Sequence, residues 1–577
     1  MNHPIKVLLP WNTSNFMPLN AFHPIYRFII EAHNEIISPP IRYFTFNERL
    51  LVEFLLVTQG IALKEYMKEI SKRLGRDSQK HTEFKEIWNF FDIDETLAGE
   101  LSGADLQVLH TTPLSVGIKP FIFHLESFET LFYPWAISDP LLASTPEIKI
   151  KSIIEYIKGL LENPKCLRIV SHLPSTLVKF KTVFQSDLIQ KKLVHCPLGF
   201  PLLQKNPSMK NHYRFIYTSS LHKNLSNLER IGIRIVFQFM KCWLEKFPED
   251  EFVLFIPPIE ENDFPDLDFE KIFSHPNVYN FGNQYVSGSE FKNILCSSDF
   301  MLIPSYQLHS ASILNSMGAG VIPVVSDLGT VNELGISPKN SIILDIFSKL
   351  DQTESPIFGG IPSLQDFNTQ YMTIAGEMVN RLETFKKNPE KKTTLSINAQ
   401  SLIRERYGLQ SASRQFCNII HESIRDHSER LTLSTKSLNS EKPPSPPFFQ
   451  ENLFGPPENL IPLRPIVPAD FDTLPLYRSF LNLGFVQIFS NGQRFLINNY
   501  NHSKLRGSPS VLSNNNGRTS FMGDWEQNFA EAMAGGESDS KRKYRYLVKS
   551  FLNKYPRLKR YLKKIGIHKI VRKTGLI

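Results

Sequence analysis

Short continuous apolar runs alternate with amphipathic stretches along most of this chain. "IKVLLPW" (Ile5–Trp11) closes on a polar loop, as does a strand buried on both faces of a parallel sheet. "LQVLHTT", "PFIFHLES", "CLRIVSH" and "KLVHCPLGFP" repeat the pattern, and residues 26–35 and 50–74 read as helices. The first series ends near residue 203. A second opens with the strand "YRFIYTSS", then one helix over residues 225–247 and the strands "EFVLFIPP" and "NVYNFG". It continues with the helix "SGSEFKNILCSSD", the strand "FMLIPS", a helix starting close to Ser310 or Ser312, and the strand "VIPVVSD". Strand–helix–strand spacing implies parallel sheets with right-handed crossovers. Two series in tandem predict an α/β protein with two Rossmann-like parallel-sheet domains facing a cleft. Ligands of such sheets bind outside the carboxyl ends of the strands.

Residues 397–424 read as a pair of closing helices. A segment with nine prolines in 26 residues follows (443–468), which excludes a helix. Beyond it, "FVQIFSNGQRFLI" alternates around Asn491-Gly492 as a hairpin does, and Asp524 is placed to cap a short helix. The expected organisation is an N-terminal Rossmann-like domain over 1–205, a C-terminal one with closing helices over 206–430, a Pro-rich linker over 431–475 and an extension over 476–577.

Composition refines this picture in two places. Five scattered cysteines, with no CxxC pair, argue against a disulfide framework or a zinc site and for a reducing compartment. The net charge of +8 is unevenly distributed: the last 37 residues hold 14 of the 65 Lys and Arg and none of the 57 Asp and Glu. Residues 1–540 are therefore net acidic. In the tail, Leu558, Leu562 and Ile565 form an apolar stripe among lysines, a pattern suited to an anionic membrane surface. The amino terminus has no basic segment followed by an apolar core, and no apolar run is long enough to span a bilayer. The expectation is a cytoplasmic protein, docked peripherally at the inner face of a membrane through residues 541–577. Nucleic acid is not expected as its partner.

The segment "SYQLHSASILNSMGAGVIPVVSD" (305–327) carries the candidate chemistry. Its strand delivers the chain to a helix whose first-turn amides lack partners and whose dipole is positive there. Ser310, Ala311 and Ser312 are small, so a phosphate can approach the backbone. Gln307 lies just before the helix and Asn315 one turn into it, and both can hydrogen-bond sugar or ribose hydroxyls.

This segment resembles the donor-site signature of family 4 glycosyltransferases, retaining enzymes of the two-Rossmann (GT-B) type. Pro304-Ser305, Met317, Gly320, Pro323-Val324-Val325 and Ser326 fall in register with it; Gln307 and Asn315 take the positions of its two glutamates. "SSDFMLIPS" with Asp299, "NVYNFG" with Gly282, "KPFIFHLES" with His124 and "TVNELG" with Glu333 agree in order. "FIYTSSLHKNL" stands where the family has a phosphate-binding Arg and Lys; Lys223 matches the Lys, and Ser220 replaces the Arg. The Gly-Gly loop after the first strand is absent.

The resemblance covers about residues 1–427. It implies an acceptor domain over 1–205 and a nucleotide-sugar donor domain over 206–430. The reaction is transfer of a sugar from a nucleotide-sugar to a glycan, lipid-linked or protein acceptor with retention of configuration, with neither metal nor cofactor. Lys223 and the helix at Ser310, Ala311 and Ser312 would hold the diphosphate, Gln307 and Asn315 the sugar and ribose, and His124 would act on the transferred sugar. The Asp-x-Asp pairs at 92–94 and 266–268 read as solvated loops and not as metal ligands. The alternative is a catalytically silent binding or partner subunit, for which the two amides and the lost Arg speak.

Overall fold

The computed structural model describes residues 4–9, 29, 41–46, 103–110, 120–132, 147–206, 212–219, 225–256, 286, 288–349, 364–437 and 463–465, with most of 259–281 and residues 115 and 119. The predicted helices at 26–35 and 50–74, the hairpin at Asn491-Gly492, the helix at Asp524, the basic tail and both Asp-x-Asp pairs lie outside the described residues, except for Ile29, Asp263 and a few neighbours of the second pair.

The two series fold into two parallel sheets within one compact unit. Six strands of the first are β1 (Ile5–Leu8), β2 (Ile41–Phe46), β3 (Leu106–His110), β4 (Phe121–Leu125), β5 (Cys166–Ser171) and β6 (Leu193–His195), in the order β2-β1-β3-β4-β5-β6. The second sheet comprises β7 (Arg214–Thr218), β8 (Glu251–Phe255), β9 (Val278–Asn280), β10 (Phe300–Ile303), β11 (Ile322–Ser326) and β12 (Ile342–Leu344). Its order, β9-β8-β7-β10-β11-β12, is that of a Rossmann sheet, with the direction of winding reversing between β7 and β10. These are the two Rossmann-like parallel sheets expected from the sequence.

The strands read as apolar runs because helices cover both sheet faces; β3, β4, β10 and β11 are buried at every residue. Pro323 fits inside β11 for a specific reason. The Ile322 amide donates to the Asp299 carbonyl on the β10 side, so the position of the missing Pro323 N–H faces β12, which pairs only from Val324 onward.

Helices used below are α1 (Glu147–Glu162), α2 (Pro174–Phe184), α3 (Leu225–Arg230), α4 (Ile233–Lys246), α5 (Ser310–Gly318), α6 (Tyr371–Lys387), α7 (Pro389–Arg406) and α8 (Leu409–Ser437). The single helix expected over 225–247 is broken into α3 and α4. The break falls at Gly232, with φ +78°, where a Cβ would lie 2.0 Å from the Pro304 carbonyl oxygen. Only glycine permits that approach, and it brings the start of α4 against the end of β10.

The closing helices are longer than expected and part at Tyr407-Gly408. α8 returns to the first half: Tyr43 of β2 lies 3.5 Å from the Cys417 sulfur, Arg168 of β5 pairs with Asp426, and Gln415 donates to the His195 carbonyl at 3.1 Å. One apolar core accordingly runs through Val108, Ile122 and Val170 of the first sheet, Ile216, Met301 and Val325 of the second, and Ile403 and Phe416 of the last two helices. No helix among the described residues is long and apolar enough to cross a membrane.

Candidate functional site

The carboxyl ends of β3, β4, β5 and β10 meet at the start of α5. Three apolar strand runs of the first half each carry a histidine at or next to the carboxyl end. His110 and His124 sit side by side in the β3–β4 register, and their Nδ1 atoms are 3.0 Å apart. One of these must donate and the other accept, so two neutral rings adopt complementary tautomers. The His124 ring stacks on that of His172 with centroids 5.5 Å apart and an 8° interplanar angle. His172, just past β5, then places its Nε2 2.8 Å from the Ser310 hydroxyl in the second half.

Ser310 is fully buried and engaged. Its backbone N–H donates to Glu126 Oε1 at 2.7 Å, and its hydroxyl contacts the same carboxylate oxygen. Glu126 follows β4 directly; its own carbonyl accepts from Ser171 and from Thr176 of α2, both at 3.2 Å. Side chains from two segments of the first half, Glu126 and His172, therefore converge on the first residue of α5.

Burial sets the protonation states. It pushes the His172 imidazole down to about 3, helped by His195, and His309, the residue before α5, down to about 4. Burial raises the Glu126 carboxyl, against the pull of the two Ser310 hydrogen bonds. His172 and His309 are neutral at physiological pH, and a neutral imidazole, which can donate or accept, suits positioning. Burial also pushes the Cys166 and Cys196 thiols up to about 12, which makes both poor nucleophiles.

Around α5 the predicted residues divide into two sets. Ala311, Ser312 and Asn315 share one face of the helix and remain partly accessible, as does Gln307, whose backbone N–H donates to the Ser305 hydroxyl at 3.2 Å. Ser310 instead points into the first half. Segment 304–306 is fixed from behind, since the Arg230 carbonyl accepts from the Tyr306 amide at 2.6 Å and from the Ser305 hydroxyl at 3.1 Å. His124 is buried within the histidine series. Lys223, Ser220 and His222 lie outside the described residues, on the segment that follows β7.

His110, His172 and Glu126 were missed in the sequence. Their signal was the repeated strand ending "LQVLH", "FIFHL", "RIVSH", from which only His124 was singled out. Glu333, in register with the family motif, accepts from the Ser175 amide in the first turn of α2 at 2.9 Å.

For metals, His212, Glu249 and Asp250 are the cluster among the described residues whose ligand atoms lie within 4.8 Å of one another. Asp250 already accepts from the Tyr213 amide, the Trp243 indole and Lys386. With the Lys386 ammonium also 3.9 Å from Glu249, the cation of this cluster is a side chain.

No family model matches the sequence, nor does any curated protein. Similar solved structures include a sucrose-phosphate synthase from Thermosynechococcus elongatus, at 12% identity and a TM-score of 0.45, covering 73% of this chain and 99% of that one. HepE of Anabaena, in complex with UDP and glucose, is similar at 13% identity and a TM-score of 0.43, covering 72% and 100%. A glycosyltransferase from Rickettsia africae is similar at 10% identity and a TM-score of 0.42, covering 73% and 99%.

Proposed function

We propose that this chain is a glycosyltransferase that moves a sugar from a nucleotide-sugar donor to a glycan, lipid-linked or protein acceptor, with retention of configuration and in the manner of family 4. The observation that carries this reading is the accessible face of Ala311, Ser312 and Asn315. It lies at the start of α5, beside the β7–β10 switch point of a Rossmann-ordered sheet, which is where such sheets bind nucleotides.

In this reading the first-turn amides of α5 and the ammonium of Lys223 stabilise the charge that grows on the leaving diphosphate. Gln307 and Asn315 hold sugar and ribose hydroxyls through neutral hydrogen bonds. Replacing carboxylates by amides at those two positions loses charge assistance, about 1–2 kcal/mol per contact, and so shifts donor preference before it abolishes transfer. In this reading His124, hydrogen-bonded to His110, acts on the transferred sugar from the first half. The acceptor attacks from the face the diphosphate leaves, and no protein carboxylate becomes a covalent nucleophile. Neither a metal nor a cofactor takes part, and the basic tail at 541–577 docks the protein on an anionic membrane surface.

A second reading is a silent relative that binds without catalysis. The contact of Glu126 with the Ser310 amide favours it, since one of the phosphate-binding groups is already occupied.

Calorimetry with UDP-, GDP- and ADP-sugars tests the first reading. One nucleotide is expected to bind, with Asn315→Ala weakening it about fivefold and Lys223→Ala about tenfold. If none binds, the enzyme reading falls and the silent relative takes its place.

A further inference from the structure

α2 and α5 begin alike. Leu173 precedes the first and His309 the second, and neither side chain caps its helix. The unpaired amides of a first turn need an acceptor, and here each helix finds a carboxylate from the other half of the molecule. Glu126, after β4 of the first sheet, takes the Ser310 amide of α5. Glu333, after β11 of the second, takes the Ser175 amide of α2. The exchange is reciprocal: each half supplies the anion and receives one at a helix dipole.

The two contacts are joined through α2. Thr176 donates to the Glu126 carbonyl at 3.2 Å, and the neighbouring Ser175 is the residue that Glu333 holds. Glu126 is further fixed by the Ser171 hydroxyl, while Ser310 is held from the other side by His172. Glu333 is braced at its carbonyl by Arg406 of α7, 3.3 Å away. Separating the halves would uncover both first turns together.

We propose that Glu126 and Glu333 form a reciprocal latch that holds the two halves closed, and that its Glu126 arm is autoinhibitory. The inhibitory part rests on the donor site proposed above. A nucleoside diphosphate seated on the first turn of α5 would bring its negative charge against the Glu126 carboxylate, and both would claim the amide of Ser310. The Ser310 N–H has one hydrogen to donate, so the two acceptors exclude one another. Anion binding therefore requires Glu126 to withdraw, and the apparent affinity is lowered by the fraction of molecules in which the latch is shut.

The test uses the full chain as wild type, Glu126→Ala, Glu126→Gln and Glu333→Gln, with two readouts. The first is amide hydrogen exchange over residues 310–313 and 174–177 without ligand. A latch predicts that Glu126→Ala and Glu333→Gln each raise exchange in both segments, about tenfold for the alanine variant. A rise confined to the segment that lost its own carboxylate overturns the latch. The second is calorimetric titration with UDP and with inorganic pyrophosphate. UDP is expected to bind about tenfold tighter to Glu126→Ala, with the near-isosteric Glu126→Gln between it and wild type. Equal or weaker binding overturns the inhibitory role. If no variant binds either probe, the donor site proposed above is wrong, the inhibitory arm falls with it, and hydrogen exchange alone decides the latch.

Discussion

The amino edge of the second sheet and the carboxyl edge of the first both bury ionisable side chains, and they neutralise them differently. At the amino edge, Asp250 and Asp299 stand one residue before β8 and β10, each paired with a lysine from α6 or α7. Lys386 of α6 reaches Asp250 at 2.6 Å and Lys392 of α7 reaches Asp299 at 2.7 Å. Both ammonium groups also lie over the Tyr213 ring, at 4.3 and 4.7 Å. Asp250 accepts from the Tyr213 amide and the Trp243 indole as well, and burial still pushes its carboxyl up. The carboxyl edge of the first sheet holds His110, His124 and His172, linked by hydrogen bonding and stacking. An ammonium–carboxylate pair has one arrangement, whereas a neutral imidazole can exchange donor for acceptor. The first edge is built to stay, the second to respond.

The largest expected effect breaks the amino edge. Asp250→Ala leaves Lys386 without its buried partner and the Trp243 and Tyr213 N–H groups without an acceptor, at a cost of about 3–5 kcal/mol in urea denaturation. A loss under about 1 kcal/mol would remove the contrast between the edges. Asp299→Asn keeps an acceptor for the Arg214 amide (3.1 Å) but leaves Lys392 unpaired. It is expected to cost about 1–3 kcal/mol. Much of that loss should return when Lys392→Met is added, and a double-mutant cycle reads the coupling.

The smallest effect concerns the carboxyl edge and depends on pH. The folded value of His172, about 3, lies below the ordinary 6.5, so between them the unfolded chain holds the extra proton. Its contribution to stability is complete above pH 6.5 and is lost as the pH falls toward 3, by up to about 1.4 kcal/mol per pH unit. His309, at about 4, acts with the same sign. The raised carboxyl of Glu126 acts with the opposite sign and offsets part of the slope. His172→Gln should flatten the dependence measured by denaturation between pH 7.5 and 5. An unchanged slope would show that another group sets it.

Much of the fold was legible because parallel strands buried on both faces leave uninterrupted apolar runs, as in "FIFHL" and "FMLI". β2, "IRYFTF", went unread because Arg42 and Thr45 interrupt its run. The break at Gly232 was hidden because apolar spacing continues through it; what forces the break is the Pro304 carbonyl, remote in sequence. The site shows the same limit. The α5 start and its accessible residues follow from a local pattern, but the contact from Glu126 to Ser310 spans 184 positions and exists only once the halves meet. Likewise the part of Asp299 in holding Lys392 needs the closing helices in place.

The return of α8 to the first sheet has a consequence for the order in which the protein is made. β1 to β6 leave the ribosome first, but Cys417 and Asp426, which rest on Tyr43 and Arg168, are more than 200 residues further along the chain. During synthesis the first sheet must wait, with one flank uncovered, for the whole second sheet to emerge. The half that begins folding earliest thus receives α8 only after the second sheet has been made.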